Sequence, residues 1–148
     1  MSRCPKNAPR FCGYPVNPAI VDDLQKVMNY IPSILFQKLK TGGYVTQGWK
    51  SGVSASNGTH DDGYCIDIVT RHLTKEEIIE LCDAFNGHNF AAVWRYYGVN
   101  MGTAEHPNFN KTEHIHIAWK DKANYNLIHP LVQVGGKYYI RDLIKEHR

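Results

Sequence analysis

Two apolar stretches of this 148-residue chain carry residues that could do chemistry together. Asp67 stands inside the run Tyr64-Cys65-Ile66-Asp67-Ile68-Val69, where a carboxylate is costly unless it is paired or bound to a metal. His60 precedes it by seven residues, at the end of a loop. Far away in sequence, Glu113, His114 and His116 cluster on the second apolar stretch. Histidine nitrogens with one carboxylate are the donor set of a catalytic zinc, which keeps three protein ligands and one open position for water. Residue types alone leave the ligands open. On a regular strand His114 and His116 share a face, and Glu113 points to the other unless the strand begins with a bend. One set is His60, Asp67 and His116; the rival is His60, His114 and His116, with Asp67 orienting one of the histidines.

The elements that must position these residues follow from periodicity. Residues 1–16 are rich in Pro, Gly and Asn and are expected to form an irregular arm. Asn17 as cap and Pro18 at the first helical position open a helix whose apolar face is Ile20, Val21, Leu24, Val27 and Met28, ending near Ile31-Pro32. A second short helix is expected over Ser33 to Leu39, closed by Gly42-Gly43. Tyr44 to Trp49 reads as a strand, followed by a Gly-, Ser- and Asn-rich loop to His60, and Tyr64 to Val69 as a buried strand. Thr74 and Glu77 form a capping box for a third helix, with Ile78, Leu81, Cys82 and Phe85 at helical spacing before Gly87. Strands are expected over Ala91 to Tyr96 and His114 to Trp119, with a turn-rich stretch from Gly98 to Asn110 between them. A hairpin is expected over Val132 to Ile140 around Gly135-Gly136, then helical composition from Arg141.

Hydrophobic residues make up 43% and charged residues 21%, which points to a folded globular chain. One domain over residues 1–148 is expected. A formal charge of +3, dispersed along the chain, is not a nucleic-acid footprint. No apolar run reaches the roughly 18 residues that span a bilayer, so no membrane insertion is expected. No secretion signal is visible. Cys4, Cys12, Cys65 and Cys82 show no C-x-x-C spacing, which argues against a cysteine zinc knuckle. Cys65 and Cys82 read as core packing, and Cys4 and Cys12 either bridge or stay thiols according to compartment. His72, His88, His129 and His147 suit surface or capping roles and His106 a turn; Trp94, Tyr96, Tyr97 and Trp119 read as core.

The segment Gly58-Thr59-His60-Asp61-Asp62-Gly63-Tyr64-Cys65-Ile66-Asp67 resembles the S-x-H-x-x-G-x-A-x-D motif of the D-alanyl-D-alanine carboxypeptidases and dipeptidases. That motif is shared with related phage endolysins and the hedgehog fold. Gly48-Trp49-Lys50-Ser51 looks like the upstream G-Y-R-S element of that family, and Glu113-His114-Ile115-His116 like its downstream E-x-x-H element. The resemblance covers roughly residues 44–119, with the His-to-Asp spacing its most specific part. It implies an α+β fold in which a small, mainly antiparallel sheet carries a zinc site and helices pack on its other face. It also implies His60, Asp67 and His116 as zinc ligands, Glu113 as catalytic base and Lys50 as the cation facing the substrate. The expected substrate is a peptidoglycan stem peptide or cross-bridge containing D-amino acids, and the expected form is a monomeric, bare catalytic unit of phage type. Such an enzyme is made in the cytoplasm and reaches the wall on release or on a phage particle. Three departures from the family stand out: Gly58 for Ser, Cys65 for Ala, and Lys50 for Arg, which keeps the charge but loses the bidentate fork. A non-catalytic zinc-containing binding or virion module of the same fold is the alternative.

Overall fold

The computed structural model describes residues 4–41, 45–47, 63–100, 102–120, 131–134 and 137–140. Lys50, His60 and the helical composition expected from Arg141 lie outside these residues. The expected irregular arm contains a small hairpin, in which β1 (Arg10–Phe11) pairs antiparallel with β2 (Tyr14–Pro15). Its turn residues Cys12 and Gly13 have φ of 49° and 94°, as a two-residue hairpin turn demands. Cys-Gly lacks the Asn or Asp that usually announces such a turn, so composition alone pointed to an irregular segment.

Asn17 caps the first helical segment, its side chain accepting from the Ala19 N–H at 2.9 Å. The chain makes a 3-10 turn over Pro18–Ile20 before α1 (Val21–Tyr30), and α2 (Ser33–Thr41) follows. α3 (Lys75–Asn86) carries the capping box read from the sequence: Thr74 Oγ1 accepts from the Glu77 N–H at 3.1 Å, and Glu77 Oε1 from the Thr74 N–H at 3.0 Å. Lys38 on α2 donates to the same carboxylate at 2.8 and 3.0 Å. Glu77 therefore closes the start of one helix and tethers another.

The remaining strands are β3 (Val45–Gln47), β4 (Cys65–Val69), β5 (Phe90–Arg95), β6 (His114–Trp119), β7 (Leu131–Val134) and β8 (Lys137–Ile140). They form a sheet in the order β3-β4-β6-β5-β7-β8. All neighbours are antiparallel except β5 and β7, which run parallel. The architecture is α+β.

Alternation along the strands gives the sheet two unlike faces. Ile66 and Ile68 of β4, Ile115 and Ile117 of β6, and Phe90, Ala92 and Trp94 of β5 join Leu24, Val27, Leu35, Leu39, Ile78, Leu81 and Phe85 of the helices in one buried cluster. Each such large side chain contributes about 1.5–3 kcal/mol by leaving water. Tyr97, expected in the core, is exposed instead, because β5 ends at Arg95 and Tyr97 lies in the turn beyond it. The register sets Cys65 and Asp67 of β4, His114, His116 and Ala118 of β6, and Val93 and Arg95 of β5 on the opposite face. One end of β6 is fastened to α1, where Trp119 Nε1 donates to Asp23 Oδ2 at 2.9 Å and Asn89 Nδ2 donates to the same oxygen at 3.1 Å. The Trp119 hydrogen bond, more than any other influence, holds the Asp23 carboxyl below its usual range. Among the described residues no helix is long and apolar enough to cross a membrane.

Candidate metal centre

β4 and β6 are adjacent and place Asp67 directly opposite His116. The two side chains meet: His116 Nδ1 lies 3.1 Å from Asp67 Oδ1, with the imidazole 3% exposed. Cys65 precedes Asp67 on the same face of β4, and its Sγ lies 3.5 Å from both ring nitrogens of His116. One donor atom from each of Cys65, Asp67 and His116 can be chosen so that all lie within 4.8 Å of one another. His114, the neighbouring position on that face of β6, is outside this group. Its Nδ1 lies 2.8 Å from the Thr112 carbonyl, which can only accept, so Nδ1 carries the proton and Nε2 keeps its lone pair.

Glu113 sits just before β6 begins, so the alternation that would have turned it to the other face does not bind it. Its position is set instead by Thr70, the residue that follows β4. The wholly buried Thr70 donates Oγ1–H to Glu113 Oε2 at 2.6 Å, and Thr70 Oγ1 also lies 3.4 Å from the Glu113 carbonyl oxygen. A carboxylate is thus held at the end of the strand that carries both histidines.

Arg95 and Gln133 extend the polar face. Arg95 pairs with His114 across β5 and β6 and with Gln133 across β5 and β7. Its Nε donates to Gln133 Oε1 at 3.0 Å, and both residues are buried. Burial holds the His114 ring below the ordinary histidine range; Asp67 pulls it back up, while His116 and Arg95 push it further down. For His116 burial also opposes the charged ring, and Arg95 adds to that, but Cys65 beside the ring and the hydrogen bond to Asp67 outweigh them and hold it above the ordinary range.

The donor set fits a small divalent metal. Zinc bonds of about 2.0–2.3 Å place tetrahedral ligand atoms about 3.3–3.6 Å apart, and the 3.1 and 3.5 Å separations from His116 lie close to that spacing. The Asp67–His116 contact suits either ligand set read from the sequence, since a carboxylate beside a histidine can share its metal or orient its ring. The order thiol, imidazole, carboxylate is also that of a cysteine nucleophile triad. A thiol handing its proton to one ring nitrogen lies on that nitrogen's axis and much farther from the other. Equal distances instead put Sγ over the ring face, and Cys65 is wholly buried.

Cys65, Thr70, Arg95 and Gln133 were not among the candidates from sequence. Cys65 carried a signal, because residues two apart on a strand share a face and Asp67 already marked that face as polar. Thr70 and Gln133 carried none, since only strand register brings them to Glu113 and Arg95. Comparisons of the chain with known protein families, with curated proteins and with solved structures find no match.

Proposed function

We propose that this chain is a zinc-dependent peptidase that hydrolyses peptide bonds involving D-amino acids in peptidoglycan stem peptides or cross-bridges. The observation that carries the reading is the facing pair of Asp67 and His116 on the polar side of the sheet, with the Glu113 carboxylate at the end of the same strand. His60, Asp67 and His116 would hold the metal within a single domain spanning residues 1–148. The peptidoglycan substrate rests on the three motifs around Lys50, His60 and Glu113, whose spacing follows that of the D-alanyl-D-alanine peptidases.

When bound, zinc supplies the Lewis acid that brings a water molecule's pKa to about 7. Glu113 takes the proton of the attacking water and returns it to the leaving amine. Thr70 aims that carboxylate by holding one of its oxygens. Lys50 would supply positive charge as negative charge develops on the carbonyl oxygen. Buried Arg95 and His114 add positive charge and a neutral imidazole to the same sheet face. Such a unit acts on the wall after release from the cytoplasm or as part of a phage particle, as a monomer. Glu113→Ala and His60→Ala test the assignment together: the first is expected to keep zinc and lose hydrolysis, the second to lose both. A Glu113→Ala variant that cleaves wall peptides as fast as the parent would remove Glu113 from the mechanism.

One observation favours a second reading. A thiol within reach of the metal donors suits a closed structural site, and a non-catalytic binding or virion module of the same fold would have such a centre. Zinc-loaded protein that releases nothing from several wall types, in parent and Cys65→Ala alike, would establish that reading.

A further inference from the structure

Where the family motif has alanine, this chain has Cys65, and the fold turns that residue toward the donor pair. Its Sγ is 3.5 Å from each ring nitrogen of His116 and shares the face of Asp67, while the residue itself is wholly buried. Cys65 lies outside the apolar cluster that unites the helices with the sheet; it opposes buried Ala118 and shares the face on which Asp67 meets His116.

We infer that Cys65 is a thiolate ligand of the metal, a fourth protein donor beside His60, Asp67 and His116. The inference rests on the zinc-site reading above and deepens it. Four protein donors fill a tetrahedron, so the resting centre is closed and the sulfur holds the place that a reacting water needs. The other members of the set provide nitrogen and oxygen, so the thiolate alone makes the site thiophilic and biases it toward zinc over magnesium or manganese. Hydrolysis then proceeds only from the form in which Cys65 has withdrawn, and the cysteine acts as a built-in restraint on the peptidase.

Cobalt substitution reads this directly, because thiolate-to-cobalt charge transfer absorbs strongly in the near ultraviolet, apart from the weaker visible bands of any tetrahedral cobalt site. The experiment titrates cobalt(II) into metal-free protein, as parent, Cys65→Ala and the near-isosteric Cys65→Ser. The parent is expected to gain the ultraviolet band up to one equivalent of metal. Both variants should lose it while keeping the visible bands. Their metal affinity should fall by about 10- to 100-fold or more, given that even partners that only support a ligand cost that much. Cobalt bound to the parent without the ultraviolet band would overturn Cys65 as a ligand and leave the site of Asp67 and His116 standing. A band that survives in Cys65→Ala would place the thiolate elsewhere and overturn the inference as well. Failure of the parent to bind cobalt or zinc at all would overturn the metal centre and this inference with it.

Discussion

Replacing Thr70 by valine keeps the shape of the side chain and deletes one hydroxyl, the group that donates to Glu113 Oε2 at 2.6 Å. A hydrogen bond to a charged group contributes about 1.5–3 kcal/mol. If that energy holds Glu113 in the position from which it takes the water proton, its loss appears in the barrier. At 1.36 kcal/mol per factor of ten, the expected fall in kcat is roughly 10- to 150-fold. Thr70→Ser restores a hydroxyl at the same Cβ and should recover most of the rate. The assay is release of new amino termini from purified peptidoglycan by zinc-loaded protein, with KM followed separately and thermal unfolding by circular dichroism on the same samples. Zinc content should be unchanged, because the hydroxyl that is removed is bonded to the base and is not itself a proposed ligand. A Thr70→Val variant that keeps its fold and the parent kcat would refute the reasoning, and so would a loss confined to KM.

Three further outcomes follow from the geometry. Asp67→Ala and His116→Ala should each lose zinc by elemental analysis, whereas Glu113→Gln should keep it and lose about 10²- to 10⁴-fold in rate, the usual contribution of a general base. Glu77→Gln keeps the capping-box acceptor and loses only the half-exposed ion pair to Lys38, so it should destabilise the fold by about 0.2–1 kcal/mol at neutral pH. The Lys38 hydrogen bond leads the influences that hold the Glu77 carboxyl below its ordinary range; this stabilisation is therefore present above the unfolded-state pKa and lost as pH falls through the folded one. Urea midpoints of parent and variant should accordingly converge in acid. Trp119→Phe keeps an aromatic ring against Tyr64 but removes the bond to Asp23; it should cost about 1.5–3 kcal/mol and raise the Asp23 pKa, read by NMR titration.

Helix α3 was plain in the sequence because its signals are local: a capping box, apolar residues at helical spacing and a glycine at the end. Strands β4 and β6 were equally visible, since the intruding Asp67, His114 and His116 interrupt otherwise apolar runs. Those polar interruptions also pointed to the site, because burying them is unfavourable without a partner. What the residues could not reveal was the pairing between distant segments. Asp67 meets His116 because β4 and β6 are neighbours in one register, and a slip of one residue would have sent either side chain to the helix face. The same dependence hid Thr70 as the partner of Glu113 and Gln133 as the partner of Arg95. The hairpin at Arg10–Pro15 escaped notice for a different reason: its turn uses a cysteine in a left-handed conformation, which few side chains adopt.

The most direct test of the central claim is zinc content and peptidoglycan hydrolysis measured on one purified sample, before chelation, after it and after zinc is restored, with mass spectrometry of the released fragments. The account predicts about one zinc per chain, loss of release on chelation, recovery on adding zinc back, and new termini at bonds that involve D-amino acids. Protein that carries no zinc, or that releases the same fragments after the metal has been removed, would contradict it.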